Sequence, residues 1–524
     1  MKHLENPNWK KKNERQKRIW LILLAALVLF PLIGGAAFVL KNFISESSAA
    51  VFTSELEFAG NQIFIRAGGD LQAALNRAKA GDTIILQAGA KFTGAFVLPK
   101  KDSAEYITIQ SSELAKLPKD GVRVNLKDAA SMPKILSSGK GKPAIETAPG
   151  ANHYRFVGIE FAPENNDYIY NLIYLSAEKP ADVPHHIEID RCYLHSNLPG
   201  VTRRGIALNS ADTIVQNSYL AGFAGEGEET QGICGWSGTK NVKIINNYIE
   251  GGAENVMFGG SDPASADLIP SDIEVRGNHL NKPVEWREKK FAMKNLFELK
   301  NVKRINFVGN YLENSWNGAS LTITVRNQDG KAPFSTIEDV LIKDNVIINA
   351  ADGINILGSD NNFPSQKLKR LNVVNNLFLD LGNRTDQGQG YFVQITDGED
   401  VTIAGNTVFN YGNITNLYGT PTRNFLFRDN IVSHNSYGFH GHQNILSPEA
   451  QRTFQNNIIV NNKKVAASDM QFPPNNFWVP DFAAIGFANF AQKDFRLAAG
   501  SRFKGKGENG GDIGSSLTLN SPAQ

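Results

Sequence analysis

The sequence has few cysteines, no strong charge imbalance and little helical periodicity, and each shortage excludes a class of protein. Its two cysteines, Cys192 and Cys234, cannot build a disulfide framework; they form a single bridge or remain buried thiols. The formal net charge is +2, and residues 1–18 alone carry +5, so the remainder carries −3. A slightly acidic body gives no reason to expect a nucleic-acid partner. Apolar residues recur at a helical period in only one short soluble segment, which excludes helical repeats.

A strand-forming unit recurs instead through most of the chain: an apolar run, a turn with Asn, and a second apolar run. The spacings between successive turns are 30, 31, 32, 35, 31, 30 and 24 residues. The turn residues are Asn217, Asn247, Asn278, Asn310, Asn345, Asn376, Asn406 and Asn430. A unit of this length cannot bury its own apolar face, so stacked copies must share one core. The pattern predicts an all-β solenoid, a parallel β-helix with three short strands per coil.

The Asn at each bend has a mechanical explanation. Asn tolerates a left-handed backbone better than most residues, and we expect it to take that conformation at the turn. Stacked one per coil, the amides can form a ladder of hydrogen bonds along the axis. A sandwich or a propeller is the alternative, but a propeller blade needs about 40–45 residues per repeat.

The N-terminus predicts a membrane anchor. Residues 19–40 form an uncharged, mostly apolar run, long enough to span a bilayer as one transmembrane helix. The basic flank at 1–18 places the N-terminus in the cytoplasm and the bulk outside the membrane. A cleaved signal peptide is the alternative, although its apolar core is shorter, about 7–15 residues. We therefore expect a single-pass cell-membrane protein with a periplasmic or cell-surface body, joined to the anchor by a tether at 41–58.

The β-helix domain is expected over residues 59–515, with 516–524 as a tail. In residues 70–89, DLQAALNRAKAGDTIILQAG, one apolar face indicates a short helix with Asp70 as its N-cap, placed to cover the open end of the stack. This opening, followed by strand–Asn–strand coils, resembles the pectate-lyase-like superfamily. Within it, the pattern is similar to the alginate lyase and chondroitinase B family. The resemblance implies a right-handed parallel β-helix and activity on acidic polysaccharides.

The stretch 296–326 contains the best candidate chemistry. Alternation along the strands turns Glu298, Lys300, Thr322, Thr324 and Arg326 away from the core. Lys300 and Arg326 lie 26 residues apart, about one coil, so we expect them to be neighbours on adjacent strands. A neutral lysine amine can remove a proton and an arginine can hold a carboxylate, which suits β-elimination from a uronic-acid glycan. We predict Lys300 and Arg326 as catalytic residues, with Glu298, Thr322 and Thr324 binding substrate.

The family resemblance supports this pair and also shows departures. The family carries a Lys in one strand and an Arg one coil later, as do Lys300 and Arg326 here. Its Arg is followed by His-Gly-Asn, whereas residues 327–329 are Asn-Gln-Asp. The resemblance implies calcium bound by paired Glu residues, for which Asn295 and Glu298 are the nearest polar candidates; no metal ligand is assigned.

The sequence thus favours a membrane-anchored polysaccharide lyase acting on an acidic polysaccharide, and we expect a monomer. A non-catalytic glycan-binding or scaffold β-helix is one alternative, in which Glu298, Lys300 and Arg326 form only a solvated charge ladder. A glycoside hydrolase is the other and would need two opposed carboxylates, about 5–10 Å apart. For that role Glu298 would act with Asp329 or Asp360.

Overall fold

The computed structural model describes residues 56–102, 104–176, 179–382, 388–441, 453–463 and 475–519. The basic tail and the apolar run at 19–40 lie outside these residues. Within the described ranges, no helix combines the length and apolarity needed to cross a membrane.

Each coil contributes strands to three sheets, and each strand stacks on its equivalent in the next coil. Sheet 1 consists of β1 (Leu56–Ala59), β2 (Gln62–Ile65), β3 (Thr83–Leu86), β6 (Ile107–Ser111), β9 (Asn152–Val157), β12 (His185–Asp190), β15 (Ile214–Gln216), β18 (Lys240–Ile245), β21 (Ser271–Arg276), β24 (Val302–Val308), β26 (Ile337–Lys343), β28 (Lys369–Val374), β31 (Glu399–Ala404), β34 (Arg423–Arg428) and β37 (Thr453–Gln455).

Sheets 2 and 3 are joined where two long strands turn the corner between them. Sheet 2 consists of β4 (Lys91–Gly94), β7 (Lys134–Ser137), β10 (Glu160–Pro163), β13 (Tyr193–His195), β16 (Tyr219–Ala221), β19 (Tyr248–Glu250), β22 (His279–Asn281), the first halves of β25 (Tyr311–Thr324) and β27 (Val346–Leu357), β29 (Leu377–Leu381), β32 (Thr407–Asn410), β35 (Ile431–Ser433), β38 (Ile458–Val460) and β39 (Phe477–Val479). Sheet 3 consists of β5 (Phe96–Leu98), β8 (Ile145–Thr147), β11 (Ile169–Leu175), β14 (Thr202–Leu208), β17 (Gln231–Gly235), β20 (Glu254–Phe258), β23 (Phe297–Leu299), the second halves of β25 and β27, β30 (Val393–Thr396), β33 (Thr415–Leu417) and β36 (Phe439–His440).

Pairing within these sheets is parallel except between β1 and β2, which confirms the predicted parallel β-helix. A separate antiparallel pair, β40 (Phe487–Asn489) and β41 (Asp494–Leu497), lies near the C-terminus. The described α-helix is α1 (Leu71–Arg77). Short 3-10 helices span Leu114–Lys116, Leu126–Ser131, Pro180–Asp182, Ala266–Leu268, Val284–Glu288, Ala483–Ile485 and Glu508–Gly510.

The core is a continuous apolar column inside the three sheets. Inward-facing side chains of successive coils stack on one another, as do Phe297 and Phe307, whose ring centroids lie 4.0 Å apart. Cys192, which lies in this column, and Cys234 are both buried free thiols. Of the two alternatives for the cysteines, the structure therefore has the buried thiols and not the bridge. Burial of apolar surface along the whole stack, rather than cross-linking, holds the coils together.

The predicted Asn ladder is present and buried. Asn310 is 1% exposed, and its side-chain amide donates to Asn345 Oδ1 and to Val275 O, each at 3.0 Å. Its own Oδ1 accepts from the backbone and side-chain nitrogens of Asn278, both at 3.0 Å. Equivalent contacts continue through Asn376, so each amide satisfies the turn of its neighbouring coil.

The predicted position of the left-handed residue is wrong by one. Gly309 has a φ of 66°, whereas Asn310 does not adopt a positive φ. The side chain of Asn310 must point into the turn, so the preceding residue makes the bend. The assignment of Asn217 to the ladder is wrong, because Asn217 is itself the left-handed residue, with a φ of 53°. Ser218 occupies the ladder position, and its backbone N–H donates to Asn247 Oδ1.

The N-terminal helix forms as predicted. Asp70 accepts from Ala73 N at 2.9 Å as the N-cap, and Leu71 and Leu75 are buried. The Gln72 side chain pairs with the backbone N–H and C=O of Val97 in β5, which closes the end of sheet 3. The first strand, β1, begins at Leu56, inside the stretch expected to be a tether. The hairpin of β1 and β2 extends sheet 1 past β3, so α1 does not lie immediately before the first strand.

The C-terminal segment folds back along the side of the stack. Ser516 N donates to Asn375 Oδ1 at 2.7 Å, and Leu517 and Leu519 pack near Phe495. Residues 516–519 were expected to be a tail and instead cover apolar surface on sheet 2.

Candidate active site

The candidate site lies on the outer face of sheet 3, where β23 stacks on the second half of β25. Glu298 pairs in register with Thr322, and Leu299 pairs with Ile323. Leu299 and Ile323 enter the core, so Glu298 and Thr322 face outward, as the strand alternation predicts.

A groove of about 580 Å³ runs over this face. It is lined by all five residues predicted from the sequence, namely Glu298, Lys300, Thr322, Thr324 and Arg326. Asp360, Asn355, Phe363 and Tyr391 from the following coils complete it. The sequence spacing therefore placed these five residues on one surface.

Lys300 and Arg326 are neighbours through the backbone. Arg326 N donates to Lys300 O at 2.8 Å, which fixes the two residues on adjacent rungs. The Lys300 amine lies 3.6 Å from Glu298 Oε1. The Arg326 guanidinium instead contacts Asp360, with Nη1 and Oδ1 3.2 Å apart. The two basic side chains thus lie side by side, each next to a different acidic residue.

Glu298 is not part of a solvated ladder. The residue is only 5% exposed, because the walls of the groove cover it. Burial and, secondly, the neighbouring Glu254 carboxylate together raise the pKa of Glu298 to about 8. Strand alternation correctly predicted that Glu298 points away from the core. The sequence alone did not show that other residues cover this side chain.

Glu254 is the main residue that the sequence reasoning missed. It is fully buried in β20, one coil before β23, and accepts from Gln231 Nε2 at 2.8 Å. One oxygen of Glu254 and one of Glu298 are buried without a hydrogen-bond partner among the described residues. Two buried carboxyl groups side by side require a proton or a cation between them. The register of β20 on β23 pairs Glu298 with Met257, so strand pairing alone would not have located Glu254 beside it.

Asp360 is the second missed contributor, considered only as a hydrolase carboxylate. Burial by itself would raise the pKa of Asp360. Hydrogen bonds from the backbone N–H groups of Asn362 and Asn327, together with the charge of Arg326, outweigh burial and lower this pKa. Asp360 therefore carries a full negative charge that orients the guanidinium. Asp329, the other carboxylate considered for hydrolysis, is absent from the groove lining.

The loop at 327–331 is held by Asp262. Its carboxylate accepts from the backbone N–H groups of Gln328, Asp329 and Lys331 at 2.6–2.9 Å. These residues replace the His-Gly-Asn of the resembled family, and here they form a fixed loop at the rim of the groove.

An insertion between two coils forms part of the wall of the groove. Glu229, from the insertion after β16, forms an ion pair with Lys294, and both line the groove. The segment at 282–290 does not line it; its Trp286 packs with Ala224 behind that wall.

A row of polar side chains continues from Glu298 along the axis of the stack. Successive rungs carry Glu298, Thr322, Asn355, Gln394, Asn416 and His440. At the spacing of neighbouring strands, about 4.8 Å, six rungs extend for about 24 Å. The groove therefore opens onto a linear polar track.

No protein-family model matches this chain, and no curated protein matches it. Solved structures of several β-helix proteins do. The chain is similar to an alginate lyase from Paenibacillus sp. FPU-7, with 14% identity, a TM-score of 0.37 and coverage of 68% of this chain and 96% of that one. A mannuronic-acid-specific family 6 polysaccharide lyase from human gut microbiota has 11% identity, a TM-score of 0.46 and coverage of 80% and 92%.

An α-1,3-glucanase from Streptomyces thermodiastaticus has 12% identity, a TM-score of 0.47 and coverage of 82% and 69%. These proteins are parallel β-helices active on polysaccharides, and the resemblance recognised in the sequence is confirmed to that extent. At such identities and TM-scores they carry no argument about the reaction of this chain.

Proposed function

We propose that this protein is a membrane-anchored, extracytoplasmic polysaccharide lyase that cleaves a uronic-acid-containing glycan by β-elimination. The observation that carries the proposal is the backbone pairing of Lys300 with Arg326 in a groove above the buried Glu254 and Glu298. This arrangement combines a base, a cationic partner and a means of stabilising an acidic sugar in one groove.

The reaction assigns one role to each of the two basic side chains. Lys300, acting as the base, takes the proton from C5 of the uronate, and the C5–H electron pair forms the C4–C5 double bond. The bond from C4 to the glycosidic oxygen breaks, and that oxygen leaves with a proton supplied by an acid or by water. Arg326 holds the uronate carboxylate, or stabilises the leaving oxygen, through its planar donors.

The polar track supports a linear, hydrophilic substrate. Hydroxyl, amide and imidazole groups offered at regular intervals suit the ring hydroxyls of a chain lying along the axis. Thr322, Thr324 and Asn355 line the groove together with Lys300 and Arg326 and would contact the sugar that reacts.

Calcium fits the acidic pair. Glu254 and Glu298 each present a buried oxygen without a hydrogen-bond partner in the described part of the chain, and Gln231 presents an amide oxygen of the same kind. Calcium takes oxygen ligands of these types. When bound, the ion would neutralise negative charge of the substrate carboxylate, and Glu254 and Glu298 would be the residues that hold it.

A glycoside hydrolase is the second candidate, favoured by one observation. The pKa of Glu298 is raised while that of Asp360 is lowered, and two carboxyl groups with separated pKa values can serve as acid and base. In this case the products would contain an added water and no double bond.

The test is incubation of the full chain with a panel of uronic-acid glycans, following the ultraviolet absorbance of unsaturated products. The proposal predicts that the absorbance increases steadily with at least one glycan. Each assay is run both with and without added calcium. New reducing ends without absorbance would indicate the hydrolase, and binding without turnover would indicate a glycan-binding protein. The anchor at 19–40 is tested separately: a reporter fused after Gln524 should be exported.

A further inference from the structure

Three histidines meet on sheet 1, away from the candidate active site on sheet 3. His153 lies in β9, and His185 and His186 lie at the start of β12 in the next coil. The strand register pairs His185 with Asn152, so His153 stands beside His186. The cluster therefore bridges two successive coils.

Their ring nitrogens converge. One nitrogen from each of the three rings lies within 4.8 Å of the others. The Nδ1 atoms of His185 and His186 are 2.7 Å apart, and the rings of His153 and His186 are stacked with centroids 4.5 Å apart. The side chains are half-buried, so solvent and ions can reach them.

A recurring backbone feature turns the rings to one side. Consecutive strand residues normally point to opposite faces, but His153 and His186 have φ values of 57° and 53°. The same position is left-handed in later coils. There the neighbours are complementary: Asn241 donates to Asp212 at 2.6 Å, and Arg304 forms a two-point pair with Asp272.

The histidine positions lack this complementarity, because the imidazole of His153 faces the imidazole of His186, and the ring of His185 lies beside them. Burial lowers the pKa of His153, and the other two histidines lower it further. Burial and His186 likewise lower the pKa of His185, to which Lys100 contributes, while the Asp212 carboxylate opposes the shift. A neutral imidazole offers the nitrogen lone pair that binds a metal ion.

We propose that His153, His185 and His186 bind one divalent transition-metal ion, with zinc as the expected ion. Zinc accepts imidazole nitrogens at about 2.0–2.1 Å in tetrahedral geometry, which needs ligand atoms about 3.3 Å apart. Small rotations of these half-buried side chains close the remaining distance. The Asp212 carboxylate, 3.9 Å from His186 Nδ1, or a water would take the fourth position. The ion would tie the coil of β9 to the coil of β12.

The proposal does not depend on lyase activity, and binding of zinc itself tests it. The full chain, purified in mild detergent without a polyhistidine tag and stripped with EDTA, is titrated with zinc chloride by calorimetry. We expect one equivalent to bind at these histidines, with affinity falling as pH is lowered through the range in which histidine protonates. Cobalt should give the absorption bands of a tetrahedral site.

His153→Asn and His186→Asn are the decisive variants, because Asn tolerates the left-handed backbone and should preserve folding. Each should weaken zinc binding by at least about tenfold. His279→Asn is the control, since that imidazole pairs with Glu313 on sheet 2 and should leave zinc binding unchanged. Zinc should also raise the melting temperature of the wild type and not of the variants. The absence of stoichiometric binding by the wild type, or unchanged binding in a variant that carries both His153→Asn and His186→Asn, would overturn the proposal.

Discussion

Arg326 donates its backbone N–H to the carbonyl oxygen of Lys300 at 2.8 Å, although 26 residues separate them in the chain. One coil of the β-helix brings the two cations onto adjacent rungs. The side chains then diverge to different carboxylates, Lys300 toward Glu298 and Arg326 toward Asp360. The opening between them is where a uronate would lie.

Lys300→Ala removes the proposed base. Turnover should fall by about 10²–10⁴-fold while glycan binding is largely kept, because the effect of a positioned base is exerted in the transition state. Initial rates and a binding isotherm on the same glycan measure the two effects. Lys303→Ala, on sheet 1 of the same coil, is the control and should retain full activity. A Lys300→Ala enzyme as fast as the wild type would remove Lys300 from the mechanism.

Arg326→Lys keeps the charge and loses the planar fork. Both turnover and apparent affinity should decrease, since a single ammonium cannot grip a carboxylate with two parallel hydrogen bonds. Kinetics over a range of glycan concentrations separate kcat from KM. Arg304→Lys disrupts the two-point pair of Arg304 with Asp272 on sheet 1, away from the groove, and should leave both constants unchanged. Equal effects of the two substitutions would mean that Arg326 acts only through stability.

Asn310→Leu should destabilise the fold by roughly 1–3 kcal/mol, because buried partners in the neighbouring coils lose their hydrogen bonds. Chemical denaturation measures the change. Asn306→Leu is the matched control: this Asn is exposed on β24 of the same coil, and its replacement should have little effect. An unchanged free energy of unfolding in Asn310→Leu would show that the ladder contributes nothing.

Glu298→Gln should change the pH dependence of stability. The folded-state pKa of Glu298 lies above its ordinary value of 4.5, at about 8, so the folded protein holds a proton that the unfolded chain releases. This contribution is present below pH 4.5 and is lost as pH rises through about 8. In EDTA, the melting temperature of the wild type should therefore fall relative to the variant between these pH values.

Calcium gives this comparison a second arm. If Glu254 and Glu298 hold the ion, added calcium should raise the melting temperature of the wild type at pH 8 and have a much smaller effect on Glu298→Gln. Glu274→Gln, a half-exposed residue of sheet 1, is the control and should follow the wild type. Parallel melting curves for all three proteins at every pH would contradict a buried Glu298 with a raised pKa.

The fold was predictable because its signal is repeated. Asn247, Asn278 and Asn310 occur once per coil, and the burial of each depends on an identical neighbour, so the spacing itself reports the stack. The identity of the bend residue was not predictable in the same way. Gly309 and Asn310 both suit a left-handed turn, and only the buried hydrogen bonds determine which of them makes it.

From the sequence, only the site residues on β23 and on the neighbouring part of the chain at 322–326 could be predicted. Alternation placed Glu298, Thr322 and Arg326 on a common face, since their coil contains no large insertion. Glu254 is separated from β23 by a long connection, so the number of residues between Glu254 and Glu298 does not show that they lie close together. The burial of Glu298 depends on walls from Glu229 and Lys294, which meet only in three dimensions.

The most direct test of the central claim is the mass of the products released by the wild-type protein from its best uronic-acid glycan. A lyase adds no water, so the product masses should sum to that of the substrate, and the new non-reducing ends should absorb ultraviolet light. Products whose masses sum to the substrate plus one water for each cleavage would contradict β-elimination and assign the groove to hydrolysis.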